Sequence, residues 1–355
     1  MQQRRRMSDP VKTAVQPLVS ILIPAYNAEA WIADTIKSAL SQTWPRKEII
    51  IVDDGSKDGT LSIAQRFVSR EVSVVSQPNG GGSAARNRAF ALSHGDYIQW
   101  LDSDDLLAPD KIARQMEATE HGLSKRTVLS SPWGHFFYRS SKARFSPSSL
   151  WCDLSPVEWL LRKFEQAVYM PPASWLVSRE LTEAAGPWDT RLSFDDDGEY
   201  FVRVIADSDG VRFIPDARTY YRVSGSGSMS HIGASNKKLE SLLLSMQLHI
   251  KHFRSLEDSD RVRAACLKYL QWWQIAFFPE RLDIVKQVEQ FAAALGGDLE
   301  PPRLWTWKYA WIRKFIGWRL ARRIQQFLPT FKTSVTRSWD KALFRLERGA
   351  LKQQN

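Results

Sequence analysis

Three clusters of acidic residues stand at the ends of short apolar segments, where carboxylates could bind a cation or move a proton. The first is the pair Asp53-Asp54, directly after the apolar run EIIIV. A carboxylate at this position could accept a hydrogen bond from a nucleobase N–H or from a ribose hydroxyl. The stretch DDGSKDGT is also rich in turn-forming residues, so a simple β-turn is the alternative interpretation.

The second cluster, Asp102-Ser103-Asp104-Asp105, follows the apolar run YIQWL. Carboxylates are hard oxygen ligands that suit Mg²⁺ or Mn²⁺. One or two of them suffice when the phosphate oxygens of a ligand complete the coordination, and the cation then stabilises a departing diphosphate. The alternative is a turn that caps a helix, because Pro109-Asp110 follows shortly afterwards.

The third cluster is Asp195-Asp196-Asp197, with Glu199 close behind it. One of these carboxylates could act as a general base on a hydroxyl group. Acidic residues are also favoured at a helix N-terminus, which is the structural alternative. Glu199 and Arg203 are four residues apart and could simply pair along that helix.

A glycine-rich stretch, NGGGSAARNRA, precedes a predicted helix. Backbone N–H groups of such a loop, together with the helix N-terminus, can bind phosphate. Arg86 adds a cation that can form two hydrogen bonds at once. A flexible loop followed by an ordinary basic helix is the alternative.

Alternating strand and helix patterns over the first hundred residues would position these groups. This order predicts a doubly wound, mostly parallel sheet, which binds ligands beyond the carboxyl ends of its strands. Three groups of polar residues fall there, namely residues 24–27, Asp53–Asp54 and Asp102–Asp104. The predicted strands are 18–23, the EIIIV run, VSVVSQ and 97–101, and the predicted helices are 28–42, 60–69 and 83–93.

The pattern becomes less regular after about residue 120. A helix is predicted at 198–206, a strand begins at 218, and residues 236–296 and 303–325 have helical patterns. We therefore expect four regions. They are a flexible basic N-terminus (1–17), an α/β domain (18–235), a helical region (236–300) and a basic, tryptophan-rich helical tail (301–355).

The motifs PAYN, VDDGS, GGGSAARN, LDSDD and DDDGEYFVR occur in an order that resembles the family 2 glycosyltransferases. The resemblance covers roughly residues 18–225. It implies the GT-A fold, which is Rossmann-like, and sugar transfer from a nucleotide-sugar donor with the help of Mn²⁺ or Mg²⁺. It also implies inversion at the anomeric carbon and a UDP-sugar as donor.

The resemblance also implies roles for individual residues. Asp104 would hold the metal together with Asp102, and Asp197 would be the general base beside Asp196. The donor nucleotide would contact residues of the first three motifs and the start of the fourth. These are Pro24, Ala25, Tyr26 and Asn27 near the base, Asp53 on the base with Asp54 beside it, Arg86 and Asn87 flanking the nucleotide, and Asp102 with Ser103 at the ribose.

Two departures from the family pattern matter. Asp196 stands where family members usually have Glu, and the additional Asp195 makes the register ambiguous by one residue. No QxxRW motif is present, since the stretch QWWQ at 271–274 lacks the arginine. We therefore expect transfer of a single sugar rather than processive polymer synthesis. The acceptor would be a glycan or a lipid-linked molecule, and a lipid-linked or cell-envelope acceptor would suit a tail that binds a membrane.

The positive charge of the chain is concentrated in the tail. Residues 301–355 contain thirteen Lys or Arg and two acids, whereas the whole chain has a net charge of +10. Tryptophan beside basic residues suits the surface of an anionic membrane, although the helix could instead pack on the catalytic domain. Nucleic-acid binding is unlikely because no nucleic-acid fold accompanies the charge. A catalytically inactive nucleotide-sugar binder is a further alternative.

Other features limit the compartment and the chemistry. Cys152 and Cys266 are far apart in the sequence and form no metal-binding pair, which suits a reducing compartment.

We find no signal peptide and no transmembrane segment, so we expect a cytoplasmic protein, peripheral on the cytoplasmic membrane face if the tail binds lipid. His231 follows a Gly/Ser stretch and is interpreted as a surface residue, with approach to the metal or diphosphate as the alternative.

Overall fold

The computed structural model describes residues 16–120, 122–224, 235–301 and 333–347. His231 and the predicted helix at 303–325 lie outside these ranges. The fold is α/β, as expected, with a mostly parallel sheet between layers of helices.

The main sheet has five strands in the order β3-β2-β1-β4-β9. The first four run parallel, and β9 pairs antiparallel with β4. Both faces of the sheet are covered, so β1 is buried along its whole length, and its sequence is apolar except for Ser20. The strands are β1 (Val19–Ala25), β2 (Lys47–Asp53), β3 (Val72–Ser76), β4 (Tyr97–Trp100) and β9 (Val177–Ser178).

Three helices connect the parallel strands: α1 (Ile32–Leu40), α2 (Thr60–Gln65) and α3 (Gly82–Ala91). Helix α1 begins four residues later than predicted. The N–H groups of Trp31 and Ile32 both donate to the carbonyl of Ala28, and Asn27 has a left-handed φ of 47°. The segment after β1 therefore forms an irregular loop at the carboxyl edge of the sheet.

A second group of strands covers the end of the sheet where the acidic clusters lie. Strands β5 (Leu106–Leu107), β11 (Thr219–Arg222), β7 (Trp133–Phe136) and β8 (Arg144–Phe145) form one small sheet in that order. Strands β6 (Thr127–Ser130) and β10 (Gly210–Phe213) pair in parallel as another. Helix α4 (Lys111–Thr119) links β5 to β6.

The remaining helices pack around an aromatic core on the other side of the main sheet. Trp188 stacks on Tyr200 with ring centroids 4.0 Å apart, and Trp100 meets both rings edge-on. The same core continues into the region after residue 235, where it includes Phe253. These helices are α5 (Pro156–Gln166), α6 (Arg179–Ala185), α7 (Asp196–Ala206), α8 (Asn236–Leu256), α9 (Asp260–Trp273) and α10 (Leu282–Ala294).

Residues 333–347 form a further helix that packs on the segment after β7. The carboxylate of Asp340 accepts hydrogen bonds from the backbone N–H groups of Tyr138 and Arg139, at 2.9 and 3.2 Å. It also pairs with the Arg139 guanidinium at 2.7 Å. Phe344 packs on the Tyr138 ring, with centroids 5.9 Å apart. This part of the tail is therefore attached to the α/β domain by specific contacts.

None of the helices within the described ranges is long and apolar enough to cross a membrane.

Candidate active site

A cleft of about 940 Å³ lies at the carboxyl edge of the main sheet. The loop after β1, the acidic turn after β4 and the N-terminus of α3 line one side. The N-terminus of α7 and parts of α5, α8 and α9 line the other side. The cleft brings together most of the predicted site residues, namely Pro24, Ala25, Tyr26, Asn27, Asp54, Arg86, Asp102, Ser103, Asp104, Asp196 and Asp197.

Asp54 organises the glycine-rich loop. Its carboxylate accepts hydrogen bonds from the N–H groups of Gly80 and Gly81, at 2.9 and 2.8 Å, and from the Gln77 side chain at 2.7 Å. The loop then leads directly into α3. These two N–H groups already donate to Asp54. The loop therefore has fewer free N–H groups for binding a phosphate than the sequence predicted.

Asp53 and Asn87 do not reach the cleft lining formed by the described residues. Asp53 is 1% exposed and turns toward Ser56 and Ser76. Asn87 forms two hydrogen bonds with the backbone of Trp188, at 2.8 and 2.9 Å. In this structure their side chains stabilise the surrounding segments, although Oδ1 of Asp53 is buried without a hydrogen-bond partner among the described residues. Contact of Asp53 and Asn87 with the nucleotide stays a prediction.

Arg86 links two of the acidic clusters. One end of its guanidinium donates to Asp102 at 2.8 Å, and the other end donates to Asp196 at 2.7 Å. Ser83, one turn earlier on α3, also donates to Asp196 at 3.1 Å. Both ends of its planar fork therefore bind carboxylates in this structure, and contact of Arg86 with the nucleotide stays a prediction.

The acidic turn after β4 divides into a buried residue and two that line the cleft. Asp105 is fully buried and accepts the N–H of Arg222 at 2.8 Å, so it supports the small sheet. Arg222 also donates to the carbonyl of Asp104 at 2.7 Å and lies over the Trp31 ring at 4.2 Å. Asp102 and Asp104 therefore face the cleft from a backbone that is held on both sides.

These two carboxylates fit a divalent cation. Asp102 and Asp104 offer hard oxygen donors at the cleft surface, and burial followed by the charge of Asp102 raises the pKa of Asp104 to about 6. No group of three or more potential ligands occurs among the described residues. A cation here would accordingly need donor atoms from its substrate as well.

Asp197 occupies the first turn of α7, which begins two residues earlier than predicted. Asp195 precedes it in a left-handed conformation with φ 59°, and its carboxylate lies in the space that a Cβ at position 198 would need. Burial, followed by the charges of Asp196 and Asp195, raises the pKa of Asp197 to about 7. A carboxylate with such a pKa is suited to accept a proton near neutral pH.

Several residues that line the cleft were not predicted. Aromatic side chains, Met170 and two lysines form much of the remaining lining, and they come from several helices, from loops and from strand β11. The spacing of Trp159 and Lys163 on α5, four residues apart, is the one signal that could have indicated a shared face. The set comprises Trp31, Trp159, Lys163, Tyr169, Met170, Trp175, Phe201, Tyr221, Lys238, Tyr269 and Trp273. The predicted pairing of Glu199 with Arg203 is confirmed, at 2.7 Å.

Residues 20–183 match the family model described as Glycosyl transferase family 2. This segment of the chain therefore carries the sequence pattern of glycosyl transferase family 2. The resemblance inferred from the motifs is thus confirmed.

Curated relatives agree with this assignment. The chain is 30% identical over 216 residues to the uncharacterized glycosyltransferase EpsJ of Bacillus subtilis (strain 168), covering 58% of this chain and 61% of EpsJ. Over 105 residues it is 44% identical to the putative teichuronic acid biosynthesis glycosyltransferase TuaG of the same organism, covering 29% of this chain and 42% of TuaG. The chain thus spans less than two thirds of the length of either relative.

Solved structures confirm the GT-A fold. S. aureus TarS 1-349 in complex with UDP-GlcNAc superposes with a TM-score of 0.64 and 17% identity, over 78% of this chain and 81% of that chain. The mannosyltransferase PcManGT from Pyrobaculum calidifontis, in complex with GDP-Man and Mn²⁺, gives a TM-score of 0.54 and 19% identity. That match covers 92% of this chain and 89% of PcManGT.

The first prediction concerns the Arg86 bridge. In an Arg86→Gln variant, the carboxylates of Asp102 and Asp196 lose their shared cation in a largely buried site. We expect the free energy of unfolding to fall by about 3–5 kcal/mol, as for other broken buried ion pairs. Chemical denaturation measures this change. The exposed Arg88, on the same helix, provides the control, and Arg88→Gln should unfold like the native protein. Equal stability of both variants would contradict the bridge.

Proposed function

We propose that the protein transfers a single sugar from a nucleotide-diphosphate sugar to an acceptor hydroxyl. The observation that carries this proposal is the meeting of three groups in one cleft: the loop after β1, the Asp102–Asp104 turn and the first turn of α7. A donor nucleotide fits the first group, a divalent cation the second and a hydroxyl acceptor the third. The match of residues 20–183 to glycosyl transferase family 2 supports the same reaction class.

The donor we propose is a UDP-hexose. Tyr26, which is 46% exposed at the cleft, offers an aromatic face for stacking a nucleobase. Ala25, with its small side chain, leaves room beside it. The neighbouring structures hold UDP-GlcNAc in TarS and GDP-Man in PcManGT, which makes both nucleotides reasonable probes.

Mn²⁺ or Mg²⁺ would be held by Asp104 together with Asp102. Such a cation acts as a Lewis acid and stabilises the negative charge that develops on a leaving diphosphate. The protein itself contributes the position of these carboxylates. Arg86 fixes Asp102 through its guanidinium, and Arg222 fixes the backbone of Asp104.

The reaction we propose is a single displacement with inversion. The acceptor oxygen attacks the anomeric carbon as the bond between that carbon and the diphosphate oxygen breaks. The proton of the hydroxyl passes to the carboxylate of Asp197, and the nucleoside diphosphate leaves with the bonding electrons. Asp196 does not act as a base, because Arg86 and Ser83 occupy its carboxylate. It orients the first turn of α7 instead.

The second prediction tests Asp197 as the base. In an Asp197→Asn variant, we expect the turnover of UDP-GlcNAc to fall about 10²–10⁴-fold, since an amide cannot accept the proton. Binding of UDP should be nearly unchanged. For the native protein, turnover should decline as the pH falls below about 7, because the protonated carboxyl is inactive. Asp207→Asn, at the other end of α7, is the matched control and should keep native turnover. Full activity of Asp197→Asn would refute the assignment.

We also propose that the protein is cytoplasmic and binds the cytoplasmic face of a membrane. The helix at 333–347 presents Val335, Trp339 and Leu346 to solvent, with exposures of 55%, 69% and 70%. Their spacing places these side chains on one face, and Lys341 and Arg345 on the same helix are also exposed. An apolar stripe beside basic residues favours an anionic lipid surface. A lipid-linked acceptor would then be within reach.

The third prediction addresses this surface. The native protein should co-sediment with vesicles that contain anionic phosphatidylglycerol and much less with neutral phosphatidylcholine vesicles. Trp339→Ser should weaken the association, because it removes the largest exposed apolar side chain of the helix. The exposed Trp272, which lies on α9, gives a matched control in Trp272→Ser. Equal sedimentation of the native protein and Trp339→Ser would contradict the proposal.

A further inference from the structure

The second half of the cleft has the character of a sugar-binding surface. Two aromatic side chains are accessible there, Tyr169, which is 50% exposed, and Trp273, which is partly exposed. Flat aromatic faces pack well against the apolar faces of sugar rings, because both surfaces are large and rigid. The buried wall behind these two rings is formed by Trp159, Trp175, Phe201 and Tyr269. This half lies beside Asp197, where an acceptor must place its hydroxyl.

Lys163 is the unusual residue of this surface. It lies on α5, one turn after Trp159 and on the same face, and it lines the cleft although it is only 8% exposed. Within the described residues, its ammonium group has no hydrogen bond and no ion pair within 4.0 Å. Burying an ammonium ion without a partner is costly.

The neighbouring acids do not satisfy this lysine. Burial raises the pKa of Asp195, the charge of Lys163 opposes this rise, and the Asp195 carboxylate accepts a hydrogen bond from Ser245. Asp196 is occupied by Arg86. The nearby His249 is held neutral, since burial and then the charge of Lys163 lower its pKa. Lys238 adds a second positive charge to the same lining.

We propose that Lys163 binds an anionic group of the acceptor, so that the preferred acceptor is a negatively charged glycan rather than a neutral one. This inference rests on the proposed glycosyl transfer and specifies its acceptor. An anion within reach of Lys163 would form a charge-assisted hydrogen bond in a site shielded from water. The aromatic surface would hold the sugar ring next to that anion, with a free hydroxyl directed toward Asp197.

Two sources could supply the anion. One is the carboxylate of a uronic acid within the glycan, and the other is the phosphate of a lipid-linked acceptor. The shared chemistry is an oxyanion one or two sugar residues from the attacking hydroxyl. The two sources differ in where the charge lies relative to the sugar ring, so matched probes can separate them.

The experiment compares three probes in the presence of UDP and Mn²⁺. They are a disaccharide ending in glucuronate, the same disaccharide ending in glucose, and that neutral disaccharide joined through diphosphate to a short prenyl chain. We expect the native protein to bind at least one anionic probe about tenfold more tightly than the neutral one, as one charge-assisted hydrogen bond provides. The preferred anionic probe identifies the source.

Variants assign the preference to Lys163. Lys163→Met should bind the anionic and neutral probes equally, whereas Lys163→Arg should keep the preference. Lys268→Met removes a lysine that pairs with Glu165 outside the cleft, and it should behave like the native protein. Equal affinity of the native protein for all three probes, or a preference that survives in Lys163→Met, would overturn the inference.

The same titrations separate this inference from the proposed function. If the native protein fails to bind UDP, the proposed glycosyl transfer itself is contradicted. If UDP binds but charge has no effect on acceptor affinity, only the role of Lys163 is lost. A merely structural Lys163 would weaken the binding of anionic and neutral probes alike.

Discussion

The ion bridge through Arg86 is the interaction on which the site depends. It joins the turn after β4 to the first turn of α7, two elements 94 residues apart in sequence between Asp102 and Asp196. The Arg86 guanidinium lies 4.3 Å above the Trp188 ring, and Trp188 in turn stacks on Tyr200 of α7. The two sides of the cleft are thus held together by one buried cation and the aromatic core beneath it. Movement of either side would separate the carboxylates proposed to hold a metal from the carboxylate proposed as the base.

Much of the donor half could be predicted from the sequence, because its chemistry is local. Each parallel strand is an apolar run that ends in polar residues, and β1, β2 and β4 deliver Tyr26, Asp54 and Asp102 to one edge. The position of α7 also followed from its acids and apolar periodicity. Contacts between distant segments were not predictable in this way. Arg86 and Asn87 have a phosphate-binding context in the sequence, yet Asp196 and the backbone of Trp188 occupy them.

The acceptor half could not be predicted because it has no local signature. Trp159, Lys163 and Tyr269 meet only after α5 and α9 have packed, and their burial reflects that packing. The helix at 333–347 illustrates the same limit. The basic composition of the tail suggested either binding to lipid or packing on the catalytic domain. In the structure one face of the helix packs on Tyr138 and Arg139, and another face is exposed. Packing on the domain and binding to lipid are therefore compatible.

The central claim is that the cleft binds a nucleotide-sugar donor with the help of a divalent cation. The most direct test is thermal unfolding of the full chain with UDP, GDP, UDP-GlcNAc and GDP-mannose, each with and without Mn²⁺. A bound ligand stabilises the folded state by about 2.7 kcal/mol at a hundredfold excess over its dissociation constant. We expect a clear rise in the melting temperature with uridine nucleotides that requires Mn²⁺ and disappears in Asp104→Asn. No rise with any nucleotide, or the same rise without Mn²⁺ and in Asp104→Asn, would contradict the account.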